Sequence, residues 1–207
     1  NVGAVVKYNP GPFLFAAGAA AGWGAFDTDR SIAFGGFAAA ARSSSDTDYV
    51  SGWLHAAYLA EQGSWYLKPL VDARLTQIDF SGARESGGGG VGLAVAGAED
   101  TVFSVSPALE IGTELRFDTL SVWRPFVRVG MTWLDEPSFA TGAAFAAVPA
   151  AIPGFETVTK MDDVLLDVSA GVDVIDTAGV AMRVQYDGRF GSDTSQNSVS
   201  LKGSVPF

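Results

Sequence analysis

The sequence predicts an all-β chain, an antiparallel transmembrane β-barrel. Three observations carry this: long strict alternation of apolar and polar residues, charges of opposite sign that face each other on the polar side, and aromatics ten residues apart on the apolar side. Alternation at period two is the mark of a strand with two unlike faces. From 120 to 134, Trp123, Pro125, Val127, Val129, Met131 and Trp133 share one face, while Arg124, Phe126, Arg128, Gly130 and Thr132 share the other. The stretches 164–175, 179–190 and 197–207 repeat the pattern.

Taken in order, the expected strands are 2–8, 13–26, 30–42, 49–61, 64–79, 101–117, 120–134, 164–175, 179–190 and 197–207, ten in all. Short links at 27–29, 62–63, 118–120 and 176–178 alternate with longer ones at 43–48, 80–100, 135–163 and 191–196. Outer-membrane barrels show that alternation, with short turns at one end and long loops at the other. Segment 91–97 reads as an outward extension of the neighbouring hairpin; the alternative is that it pairs with 138–147 as two further barrel strands, which would give twelve. The two-residue link Gln62-Gly63 sets a register in which Ala60 faces Trp65 and Leu54 faces Val71, with His55 and Lys68 on the opposite face.

The polar face tests the reading. One register for each of two hairpins pairs Glu114 with Arg124, Glu110 with Arg128, Asp173 with Arg183 and Asp167 with Arg189. Each such pair stabilises by only about 0.2–1 kcal/mol, so their recurrence on one face is what informs. The expected interior charges are Lys68, Asp72, Arg74, Glu110, Glu114, Arg124, Arg128, Asp167, Asp173, Arg183, Arg189 and Lys202. On the apolar face Phe13 and Trp23, like Trp123 and Trp133, lie ten residues apart. At a tilt near 40° ten residues rise about 25 Å, the height between the aromatic girdles of a membrane barrel. These four are the expected lipid-facing girdle. A soluble sandwich would bury its apolar face, with strands of about 5–6 residues.

Composition narrows function. With 13 Lys and Arg against 23 Asp and Glu, the net charge is −10, which excludes nucleic acid as a partner. No cysteine is present, so disulfides and thiolate metal sites are excluded. His55 is the one imidazole in the chain. Ser51 shares its strand face, yet a mid-strand histidine reads as an interior polar residue rather than a catalytic base, and no enzyme is expected. Gly87 to Gly90 lacks the Lys-Ser/Thr of a phosphate loop and reads as a flexible external loop. The carboxylates of Asp162 and Asp163, or Asp46 and Asp48, could hold Ca²⁺, but read as solvated; no metal and no cofactor is expected. The Ala-rich loop 140–152 carries Phe145, Val148 and Ile152, which favours a packed role at the pore mouth.

Several stretches, in order, resemble one family: Trp65-Tyr-Leu-Lys-Pro69, Ala83-Arg-Glu85-Ser-Gly87, Leu109-Glu-Ile-Gly112-Thr-Glu-Leu, Trp123-Arg-Pro125-Phe, and the closing run from Val180 through Gly188 to Phe207. Together they are similar to the C-terminal β-domain of autotransporters, type V secretion. The resemblance implies a twelve-stranded barrel in the bacterial outer membrane, with Asn1 falling where the third strand lies. It implies a translocator and anchor for an N-terminal passenger, and as partners the lipid bilayer, the outer-membrane assembly machinery and the passenger itself. Val199, Leu201, Val205 and Phe207 resemble the assembly signal; Val205 stands where an aromatic is expected, and Pro206 cannot donate to a strand ladder. The alternative is a stand-alone outer-membrane barrel, either a small porin-like channel or a barrel enzyme.

Overall fold

A computed structural model of the chain describes residues 1–116, 121–135, 138–147 and 153–205. The strands are β1 (Val2–Tyr8), β2 (Phe13–Phe34), β3 (Phe37–Tyr58), β4 (Ala60–Gln62), β5 (Trp65–Phe80), β6 (Ala83–Arg84), β7 (Ser86–Gly87), β8 (Leu93–Val95), β9 (Ala98–Thr113), β10 (Ser121–Leu134), β11 (Ser138–Phe145), β12 (Phe155–Lys160), β13 (Val164–Asp176), β14 (Ala181–Phe190) and β15 (Ser195–Ser204). One sheet runs β1-β2-β3-β5-β9-β10-β13-β14-β15, with every neighbouring pair antiparallel. Among the described residues β1 and β15 do not pair, so the sheet is curled but open at that seam. No described helix is long and apolar enough to cross a membrane; any crossing is made by strands.

Among the described residues nine strands follow one another along the sheet, with the short β4 and β7 pairing off that path, where ten were expected. The links placed at 27–29 and 43–48 do not exist. β2 and β3 are continuous 22-residue strands paired from Phe13↔Tyr58 to Phe34↔Phe37. Their polar stretches (Asp27-Thr28-Asp29, and Ser43 to Asp48) mimic loops because polar residues fall on both faces there and leave no apolar side to alternate. The turn is Gly35-Gly36, at φ 51° and 86°, which is the left-handed pair that a tight hairpin demands. The register after β3 also differs. Gln62 faces Trp65, so the turn is Gly63-Ser64, Ala60 faces Leu67 and Leu54 faces Ala73. That is a two-residue shift, which preserves which side chain lies on which face.

The other hairpins follow the expected registers: Arg128↔Glu110, Val105↔Trp133, Asp173↔Arg183 and Asp167↔Arg189, with Leu115 bridging Trp123. The expected turn at 118–120 lies outside the described residues. Segment 91–97 extends the β9–β10 hairpin, since Val95 faces Ala143 in the register that sets Val105 opposite Trp133. β8 and β11 do pair, but in a separate four-stranded sheet, β12-β11-β8-β6, and not as barrel strands. Long connections (81–97, 135–163) and the β2–β3 extension gather at one end, and the shorter links between β1 and β2, β9 and β10, and β13 and β14 at the other.

The apolar face is turned outward. Val127, Val129, Met131, Leu109, Ile111 and Leu166 are each about half exposed, and the described residues include no large side chain that is fully buried. Polar side chains fill the inside of the curve, where residues from seven strands line a cavity of about 730 Å³. On four strands the outward face reaches a carboxylate at the loop-rich end: Asp27 on β2, Asp48 on β3, Asp79 on β5 and Glu99 on β9.

Candidate functional site: the enclosed polar face

Glu110 is the hub of the enclosed face, with 3% of its surface exposed. Lys68 Nζ lies 2.5 Å away, the Arg128 guanidinium donates through Nε at 2.9 Å and Nη2 at 2.5 Å, and the Tyr66 hydroxyl donates at 3.0 Å. The register makes this cluster: Lys68 and Arg128 sit opposite Glu110 on the strands either side of β9. Nearby, Arg124 donates to Glu114 at 2.9 Å, with Arg116 on the same carboxylate. Arg183 forms a two-pronged pair with Asp173 and lies over the Phe126 ring. Nearer the loop-rich end, Asp167 accepts from Arg189 at 2.8 Å and from Thr132, whose hydroxyl also bonds Ser106. Asp187 accepts from Ser169 and Gln185.

Nine of the twelve expected interior charges therefore sit in ion pairs on this face, and a tenth, Asp72, shares a hydrogen bond of 2.8 Å with His55 Nδ1. Arg74 lines the cavity opposite Trp53. Lys202 lies on the outermost strand, opposite Arg183. Ser51 bonds Thr76, not His55, so these residues do not assemble into a nucleophile and base. Of the two carboxylates at 162 and 163, that of Asp162 is taken up by donors of the chain itself. Buried Asp162 accepts the backbone N–H groups of Ser192 and Asp193 and the Ser192 hydroxyl. With Ser192 and Thr194 donating first, its pKa falls to about 2. No described group of acidic or His side chains could hold a metal.

Four glycines the sequence reading passed over belong to this face. Trp53 covers Gly18, Tyr49 covers Gly22, Tyr66 covers Gly112 and Phe126 covers Gly171, each from the directly facing position on the next strand. A Cβ at any of them would collide with the ring. Pairing Gly and aromatic positions once the register is known would have found them.

On the outer face, Phe13, Trp23, Trp123 and Trp133 are all exposed. Other aromatics share this outer face. Tyr8, Tyr58 and Trp65 join Phe13 and Trp123 near the short-turn end, and Phe103 packs edge-on to Trp133 at 6.4 Å. Val199, Leu201 and Val205 are exposed along and just past β15; Pro206 and Phe207 lie outside the described residues. Gly87 to Gly90 is not free: β7 pairs with β3, and Gly89 abuts the Phe37 ring. In the loop 140–152, Phe145 packs against Phe155, while Val148 and Ile152 lie outside the described residues.

A curled antiparallel sheet, ionic within and apolar without, defines a transmembrane β-barrel domain. Residues 1–187 match the family model of the autotransporter beta-domain, and the chain belongs to that family. It is an outer-membrane translocator and anchor barrel of the autotransporter type. Among solved structures, the beta domain of the Bordetella autotransporter Brka is similar at 14% identity, covering 92% of this chain and 77% of that one with a TM-score of 0.45. No curated protein matches.

Proposed function

We propose that residues 1–207 act as one translocator unit in the bacterial outer membrane, without enzymatic activity. The outer face rests in hydrocarbon between two aromatic girdles. The ionic interior is wetted and accommodates a segment of the passenger during export. The observation that carries this is the ion-pair network centred on Glu110 on the face opposite Val127 and Val129. Charges in hydrocarbon are costly, whereas in a wet, enclosed channel they pair without full desolvation. Insertion runs through the outer-membrane assembly machinery, for which the outward-facing Val199, Leu201 and Val205, together with Phe207, form the signal.

The double change Arg124→Glu and Arg128→Glu tests the assignment. It sets carboxylates against Glu114 and Glu110, and the expected outcome is impaired assembly or a wider conducting state in planar bilayers. Normal assembly and unchanged conductance would contradict the interior placement.

A further inference from the structure

The 81–97 connection does not stand free above the sheet. After Phe80 the chain rejoins the edge of β3, where Arg42 faces Ser86 and Ala41 faces Gly87. It then turns to the concave side. A Cβ on Gly89 would strike the Phe37 ring and lie beside Ala39, and one on Gly88 would lie against the methyl group of Ala41, which at 1% exposure is the least exposed apolar residue described. Phe37, Ala39 and Ala41 share the face of Trp53 and His55 by strand parity. Arg30 lies directly opposite Ala41 on β2. Its guanidinium meets Glu85 in a two-pronged pair, Nε to Oε1 at 2.8 Å and Nη2 to Oε2 at 2.5 Å, and also donates to the Val91 carbonyl at 3.1 Å.

Glu85 has an 8% exposed side chain and also accepts the Leu93 N–H at 2.7 Å, so one carboxylate ties the outgoing and returning limbs to β2. The Arg30 hydrogen bonds, followed by the Leu93 N–H, hold its pKa below the usual carboxylate range. On the far side, Arg84 donates to the Ala146 carbonyl and β8 pairs with β11, so the segment also carries part of the 135–163 connection.

From this arrangement we propose that segment 81–97 is a latched lid over the loop-rich end of the lumen, with the Arg30–Glu85 pair as its latch. The proposal rests on the interior face being a wetted lumen. Releasing the pair leaves Glu85 with a single donor and frees residues 88–93 from the concave face, which opens the mouth. Glycine at 87 is part of the device, since a Cβ there would strike the Ala40 carbonyl and φ is +83°.

The test uses the full-length protein in outer-membrane vesicles and planar bilayers. Arg30→Gln leaves the Arg84–Glu85 peptide bond intact as a trypsin site. The expected result is at least tenfold faster cleavage after Arg84 and a higher conductance, with Arg30→Lys in between. The reverse arm pairs Arg42→Cys with Ser86→Cys, at facing positions, residues 1–207 being otherwise free of cysteine and any cysteine elsewhere in the protein replaced by serine. Oxidation should lower conductance below wild type, and reduction should restore it. This arm decides the matter if Arg30→Gln fails to assemble. A conducting wild type unmoved by either change overturns the latch alone. A barrel that conducts in no form, even after cleavage at Arg84, overturns the lumen reading and the latch with it.

Discussion

Glu110 shows why a single substitution on the inner face is expected to be costly. Three cationic or hydroxyl partners converge on one carboxylate, and removing its charge leaves Lys68 and Arg128 facing each other unpaired. Both cations keep some access to water, so Glu110→Gln is expected to cost about 2 kcal/mol, read by denaturant unfolding of the reconstituted protein. Outside the membrane band, Asp162 joins the 161–163 segment to the 191–194 turn. Its pKa of about 2 lies below the ordinary value near 4, with Ser192 and Thr194 as the leading causes. A depressed folded pKa means that its contribution is fully present above pH 4 and is lost as pH falls toward 2. Amide exchange at Ser192 and Asp193 should rise across that window in the native chain. In Asp162→Asn exchange should already be raised at pH 6 and change little across it. The ion pairs of this residue scale were legible because opposite charges at facing positions show in the sequence once a register is chosen. Asp162 was not, because its partners are the hydroxyls and backbone N–H groups of a turn thirty residues away.

At the scale of the element, the strands that alternate from end to end (β10, β13, β14) were legible nearly to the residue. β2 and β3 were not. Their apolar outer runs stop at Asp27 and Asp48, and beyond that point polar and small residues fall on both faces, so no period survives to read. The structure assigns the missing information to Gly35-Gly36. The glycine–aromatic pairs make a sharper prediction. Gly112→Val places a branched side chain in the space of the Tyr66 ring, at an expected cost of about 1–3 kcal/mol from overpacking. Gly203→Val, where nothing lies within 4 Å of the added Cβ, serves as the control and should be close to neutral. Equal loss of assembled, heat-modifiable protein in both would contradict the pairing account.

For the whole molecule, the inverted distribution of polarity governs everything else. Nine antiparallel strands leave β1 and β15 running in the same direction, so direct pairing across the seam would be parallel in an otherwise antiparallel sheet. An added odd number of strands would close it antiparallel throughout, whereas an even number would not. That strand count could not be read from the sequence, because it depended on one turn. The two faces could, because a two-residue register error does not exchange them. Val127→Arg should cost about 2–4 kcal/mol if it faces the middle of the bilayer.

The most direct measurement is a single-cysteine scan from Val122 to Trp133 in this cysteine-free chain, after reconstitution into vesicles containing a lipid-confined quencher. A fluorophore at positions 125, 127, 129 and 131 should be quenched by lipid, and at 124, 126, 128 and 132 by an aqueous quencher instead. An absent or reversed alternation would contradict an apolar face in hydrocarbon around an ionic interior.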